Sequence, residues 1–199
     1  KKKNFFKSKN IYWFKGSLLT NHKKIFKQID LIVHLASHST NPPYDSLEKC
    51  LYWNVNATLK FFNNAYSSGV RKFLVIGSGF EYGLSCNKYY KIPINAPLKP
   101  TSNYAISKAA CSIILKNWTI EKKIYLKYIR LFYVFGKYEN KGRFWQTLKI
   151  KAKNGENMHM SKGDQIRDFT PVENVVKHLT DEIYFKKVRK GFPLISNFG

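Results

Sequence analysis

The sequence predicts an α/β fold built on a parallel sheet. Two short unbroken apolar runs, Leu31-Ile-Val-His-Leu-Ala36 and Phe73-Leu-Val-Ile76, have the length of strands buried on both faces. Longer segments with apolar residues at helical spacing alternate with such runs. That alternation of strand and helix is the pattern of α/β folds, in which helices pack on a parallel sheet.

The elements follow in order. Ile11-Tyr-Trp-Phe14 reads as a strand, followed by a loop at Lys15-Gly16-Ser17 and a short helix from Asn21 to Gln28. Residues 31–35 form the next strand, and Pro42-Pro43 breaks the chain. Ser46 can cap a helix reaching about Ser67, because Leu47, Leu51, Val55, Leu59 and Phe62 recur at helical spacing and Gly69 ends it. Residues 72–76 make a strand that opens into a loop at Gly77-Ser78-Gly79 and runs on to Pro100. Thr101-Ser102 can cap a helix carrying Tyr104 and Lys108 and ending near Lys122. Residues 126–131 read as a strand, 143–154 as a helix, Met158-His-Met160 as strand-like, and 171–184 as a helix.

Composition excludes several classes. The 199 residues allow one domain, or one and part of a second. A hydrophobic fraction of 44% is too high for a disordered chain. No apolar run is long enough to span a bilayer, and the basic N-terminus is not followed by a signal core, so membrane insertion is not expected and a cytoplasmic location is. Cys50, Cys86 and Cys111 lack metal or redox spacing, so no metal site is expected. The net charge of +23 could mark a nucleic-acid partner. The lysines are spread along the chain, however, and no helix-turn-helix, zinc or aromatic-basic pattern accompanies them, so no nucleic-acid partner is expected. Enrichment in Lys, Asn, Ile, Phe and Tyr together fits a compositional bias; attraction to an anionic substrate is a further reading.

The chemistry centres on Tyr104-Ala-Ile-Ser-Lys108. Residues four apart on a helix share a face, which brings the Lys ammonium near the Tyr hydroxyl. A cation beside a phenol, at the positive end of a helix, favours the phenolate and suits the pair to proton exchange with a carbonyl or carbinol.

The surroundings raise this pair above coincidence. Val75-Ile-Gly-Ser-Gly-Phe-Glu-Tyr-Gly83 ends a strand, and Pro97-Leu-Lys-Pro100 leads into the Tyr104 helix. Together they resemble the extended short-chain dehydrogenase/reductases, the NAD-dependent epimerase/dehydratase enzymes that modify nucleotide sugars. The resemblance implies a Rossmann-like doubly wound sheet lacking its first strands, with part of a small C-terminal substrate domain. Residues 1–140 would be an incomplete NAD(P)-binding domain and 141–199 a partial substrate-binding region. It implies Ser78, Tyr104 and Lys108 as catalytic residues: Ser78 binds the substrate oxygen, Tyr104 is the acid/base, and Lys108 lowers the Tyr pKa and holds the nicotinamide ribose. Asp30-Leu-Ile-Val-His-Leu-Ala36 resembles the strand whose end lies under the cofactor, placing His34, Leu35 and Ala36 there. Asn54-Val-Asn-Ala-Thr58 resembles a helix motif whose Asn54 supports cofactor and site. Arg130-Leu-Phe-Tyr-Val-Phe-Gly136 puts Phe132 against the nicotinamide and Tyr133 on the substrate side. Arg167-Asp-Phe-Thr-Pro-Val172 resembles the motif whose arginine grips the substrate pyrophosphate, a task suited to a planar guanidinium. Ser78, Gly79 and Phe80 complete the implied substrate contacts, and NAD or NADP is the implied cofactor. A homodimer of the full-length protein is implied too, with Tyr52, Trp53 and Phe61 as candidates for its interface.

Two departures matter. Nothing before Leu31 contains two close glycines, so the turn that holds a cofactor pyrophosphate is missing. The chain therefore reads as an internal fragment; the 11–14 strand has no neighbour, the 31–35 strand exposes an apolar edge, and weak NAD(P) binding or aggregation is expected of this chain alone. Members that dehydrate sugars carry Asp-Glu where Gly79-Phe80 stand here, and Glu81, one place on, should point elsewhere. Reduction of a keto sugar, or epimerisation, is favoured over elimination of water. The alternative is a degenerate binding or regulatory protein on the same fold.

Overall fold

A computed structural model describes residues 9–20, 22–140 and 142–199. In chain order the elements are α1 (Lys23–Phe26), β1 (Leu31–His34), α2 (Leu47–Leu51), a π-helical stretch (Tyr52–Ala57), α3 (Thr58–Ser67), β2 (Lys72–Ser78), two 3-10 turns (Gly79–Tyr82 and Leu84–Lys88) and α4 (Asn103–Lys122). There follow β3 (Tyr125–Leu131), β4 (Tyr133–Phe135), α5 (Phe144–Asn154), β5 (Phe169–Pro171), α6 (Val172–Glu182) and β6 (Leu194–Phe198).

The main sheet runs β1-β2-β3-β6 with every pairing parallel, as expected for an α/β fold. β4 and β5 form a separate parallel pair. Alternation along the strands decides the core. Phe73 and Val75 of β2 share a face with Leu126 and Tyr128 of β3, and Phe62, Leu115 and Trp118 of α3 and α4 pack against them. On the opposite face buried Lys127 reaches Glu182 of α6 and lies over the Phe185 ring. β6, from the end of the 141–199 region, completes the main sheet.

Local chemistry sets the helix ends. Ser46 Oγ accepts from the Lys49 N–H and Ser102 Oγ from the Ala105 N–H, each satisfying an orphan donor of a first turn. Lys123 closes α4 in a left-handed conformation. The helix expected over 46–67 has its predicted ends but is π-wound through Tyr52–Ala57.

Two expected strands are absent. Ile11 to Phe14 form no strand and are exposed at 46–78%, because among the described residues no strand lies alongside to complete a ladder with them. Met158 to Met160 are also irregular, and Met160 is 61% exposed. The helix expected from Asn21 to Gln28 is the single turn α1, Asn21 itself lying outside the described residues. Among the described residues β1 pairs only with β2, and Val33 and Leu35 lie exposed at its other edge. No described helix is long and apolar enough to cross a membrane, and no described group of His, Cys, Asp and Glu could hold a metal ion. The three cysteines are free thiols.

Candidate active site

Parallel pairing brings the strand ends together. Ser78 pairs with Leu131 and Leu131 with Phe198, so Ser78, Phe132 and Phe198 lie at the same end of the sheet. This carboxyl end is where ligands bind in open α/β sheets. β2 stops there because Ser78 caps the turn that follows. Its Oγ accepts the Phe80 N–H at 3.2 Å, and its own N–H donates to Glu81 Oε1 at 2.9 Å.

Tyr104 and Lys108 lie one turn apart at the start of α4, both buried. The Lys108 ammonium donates to the Ile76 carbonyl at 2.7 Å, fixing it against the end of β2. The Tyr104 ring stacks on Tyr44, with centroids 5.9 Å apart and an interplanar angle of 12°, and Phe80 meets it edge-on at 6.4 Å. Ser78, Phe80, Tyr104 and Lys108 are thus gathered by one strand end and one helix start.

The substrate-side candidates reach the same neighbourhood. Arg143 lies 5.3 Å and Arg167 5.7 Å from the centre of the Tyr133 ring. Burial, and then the nearby Tyr104 and Tyr133, push the Tyr44 phenol above its ordinary value, while Arg143 and Arg167 pull it down. All four side chains are therefore within electrostatic range of Tyr44. Arg167 donates to Gln165 at 2.7 Å and forms no ion pair with Asp164 or Asp168 among the described contacts.

On the other side, His34 ends β1 and lies 3.3 Å from Thr58 Oγ1. Burial, then the positive charge of Lys108, lowers its pKa from 6.5 to about 4, so the imidazole is neutral at pH 7. Leu35 and Ala36 are exposed beyond it. Asn54 sits on the π-helical stretch and braces two segments. It exchanges hydrogen bonds with the His38 backbone, accepting at 2.7 Å and donating at 3.2 Å, and donates to Ser107 at 2.9 Å. A groove of about 450 Å³ runs past Ala36, His38 and Asn54 to Phe14 and Leu18.

Gly79 packs against Phe132: a Cβ built on the glycine would come within 2.8 Å of that ring. Below this loop lies a polar cluster that sequence reasoning did not assemble. Glu81 is fully buried and accepts from Arg130 Nε at 2.7 Å and from the Tyr128 hydroxyl at 2.7 Å. Arg130 also donates to the Tyr82 hydroxyl at 2.8 Å, which donates to Asn197 of β6 at 2.8 Å. Removing one member of such a buried pair strands a charge, at a cost of about 3–5 kcal/mol. The expectation that Glu81 points away from the Phe80 side is met. Tyr44 and Arg143 were also missed; Tyr44 follows two prolines, and only folding brings it to Tyr104. Of the interface candidates, Tyr52 is exposed, while Trp53 and Phe61 are half-buried.

Human dTDP-D-glucose 4,6-dehydratase is 24% identical over 190 residues, 92% of this chain and 52% of the human protein. The chain thus spans about half the length of that curated relative. The fold is shared with solved structures. A UDP-N-acetylglucosamine 4-epimerase from Methanobrevibacter ruminantium M1 matches with a TM-score of 0.81 at 23% identity, over 94% of this chain and 60% of its own. A dTDP-glucose 4,6-dehydratase from Bacillus anthracis str. Ames, in complex with NAD, matches with a TM-score of 0.78 at 20% identity, over 94% of this chain and 58% of its own. The model of the NAD dependent epimerase/dehydratase family matches residues 1–180, and the chain belongs to that family.

Proposed function

We propose that the natural protein carrying this chain is an NAD(P)-dependent ketoreductase or epimerase of nucleotide sugars, with Ser78, Tyr104 and Lys108 as its catalytic residues. The observation that carries the reading is the gathering of a buried Tyr104, an anchored Lys108 and a turn-capping Ser78 at the carboxyl end of the sheet.

The residues present fit the nicotinamide end of a cofactor: the buried lysine, the bracing Asn54, and the groove past Ala36 and His38. When bound, the cofactor supplies or accepts the hydride. In the reducing direction the Ser78 hydroxyl holds the sugar carbonyl oxygen and Tyr104 gives it a proton, leaving an alcohol. Lys108 then stabilises the phenolate by its charge. Tyr133 lies on the sugar side, and Arg167 holds the substrate pyrophosphate through its forked donors. Elimination of water needs an acid and a base near the sugar; Gly79 and Phe80 offer neither, and Phe132 fills the space above Gly79. The same reading expects a homodimer, with the exposed Tyr52 at its interface.

The test is an assay of the natural protein with NADH or NADPH and dTDP-4-keto-6-deoxyglucose or its UDP counterpart. Stoichiometric cofactor oxidation supports the reductase, and interconversion of UDP-hexose epimers without net oxidation supports the epimerase. Tyr104→Phe should lower turnover by about 10²–10⁴-fold, the range that general acid–base catalysis contributes, with cofactor affinity unchanged. A variant keeping most of its turnover would refute the assignment.

A further inference from the structure

Glu81 has no place in the chemistry proposed above, yet it touches the machinery on several sides. Its Oε1 accepts both the Ser78 N–H at 2.9 Å and the Tyr128 hydroxyl at 2.7 Å. That hydroxyl also lies 3.3 Å from the Lys108 carbonyl, on the backbone of the catalytic helix. The other oxygen, Oε2, takes the Arg130 Nε at 2.7 Å. A Cβ on Gly77 would fall 2.2 Å from the Tyr128 ring and 2.6 Å from Glu81 Oε1, so the cluster closes only because residue 77 has no side chain. Sheet alternation aims Tyr128 and Arg130 at the same face, under the Ser78 turn.

A carboxylate capping a 3-10 turn is ordinary, but its full burial and its three partners on β2 and β3 are not required for a cap. Two neutral residues could cover this space at less desolvation cost. The arrangement instead pins the Ser78 backbone to the catalytic helix through a single hydroxyl. Resting on the catalytic reading of Ser78, we propose that Glu81 is a positioning residue: held by Arg130 and Tyr128, it fixes the Ser78 backbone and thereby the hydroxyl aimed at the substrate oxygen.

The test compares Glu81→Gln, Tyr128→Phe, Ser78→Ala and the doubles carrying Ser78→Ala, all in the natural protein. Glu81→Gln risks misfolding because it strands Arg130. Tyr128→Phe leaves the ion pair intact and decides the matter by itself if Glu81→Gln does not fold. Two quantities are read: kcat and KM for NADH oxidation with dTDP-4-keto-6-deoxyglucose, and the exchange rate of the Ser78 amide, which needs no substrate. Loss of one hydrogen bond predicts about fivefold faster exchange and about fivefold lower kcat in Tyr128→Phe, with KM within twofold. The kcat loss should vanish when Ser78 is already alanine, because the two then act through one group. Unchanged Ser78 exchange overturns the proposal, as do kcat losses that persist undiminished beside Ser78→Ala. Full turnover by Ser78→Ala, in contrast, overturns the catalytic reading itself together with the role built on it.

Discussion

His34 is a residue whose burial has a measurable cost in acid. Its native pKa is about 4 against 6.5 when solvated. As pH falls from 6.5 toward 4 the unfolded chain takes up this proton and the native chain does not, so stability falls across that window. Above 6.5 the group contributes no pH dependence, and below 4 the loss is complete at about 3 kcal/mol. His34→Asn should flatten the fall in denaturation free energy between pH 6.5 and pH 4.5 relative to the parent chain. An unchanged slope would show that the imidazole does not stay neutral in the fold. Glu81 differs from His34 in kind: its charge is kept in the interior because Arg130 and Tyr128 meet it there. Nothing in sequence spacing foretold that pairing, since the two ions lie 49 residues apart and meet only once β2 and β3 align.

At the scale of elements, caps decide where helices begin. Ser102 accepts the Ala105 N–H at 3.2 Å at the head of the helix that carries Tyr104 and Lys108. Ser102→Ala should cost about 1 kcal/mol, and Ser102→Gly only a few tenths, read from urea midpoints at constant slope. Equal effects of the two would mean that the hydroxyl contributes nothing. Such caps were legible in the sequence because their chemistry is local: Ser46, Ser102 and the Gly69 stop all stand where expected. What stayed hidden was settled by distant partners. A π-wound turn is indistinguishable from an α-turn over six residues of apolar spacing, yet it sets Asn54 against His38 and Ser107. β6 has no counterpart among the elements read from the sequence, and forms because β3 offers its edge. Ile11 to Phe14 read as a strand and do not form one, because β-propensity needs a ladder partner and no described strand lies alongside them.

Among the described residues the sheet has an open side. There β1 is paired on one edge, Val33 is 40% and Leu35 61% exposed, and the aromatic stretch from Tyr12 to Phe14 is exposed too. Flat apolar edges recruit other strands, and a lysine on the edge deters them. Val33→Lys should raise the concentration at which this chain begins to scatter light, with a stability change within about 0.5 kcal/mol, as for other surface substitutions. Aggregation at the parent's concentration would place the adhesive surface elsewhere. The close approach of Gly77 to Tyr128 reaches further than the contact itself. Residue 77 lies against two side chains brought from elsewhere in the sequence, Tyr128 and Glu81, so it cannot grow while both keep their places. A lineage could place alanine at 77 only after residue 128 had shrunk and residue 81 had shortened or moved; history at this spot has a direction imposed by steric exclusion.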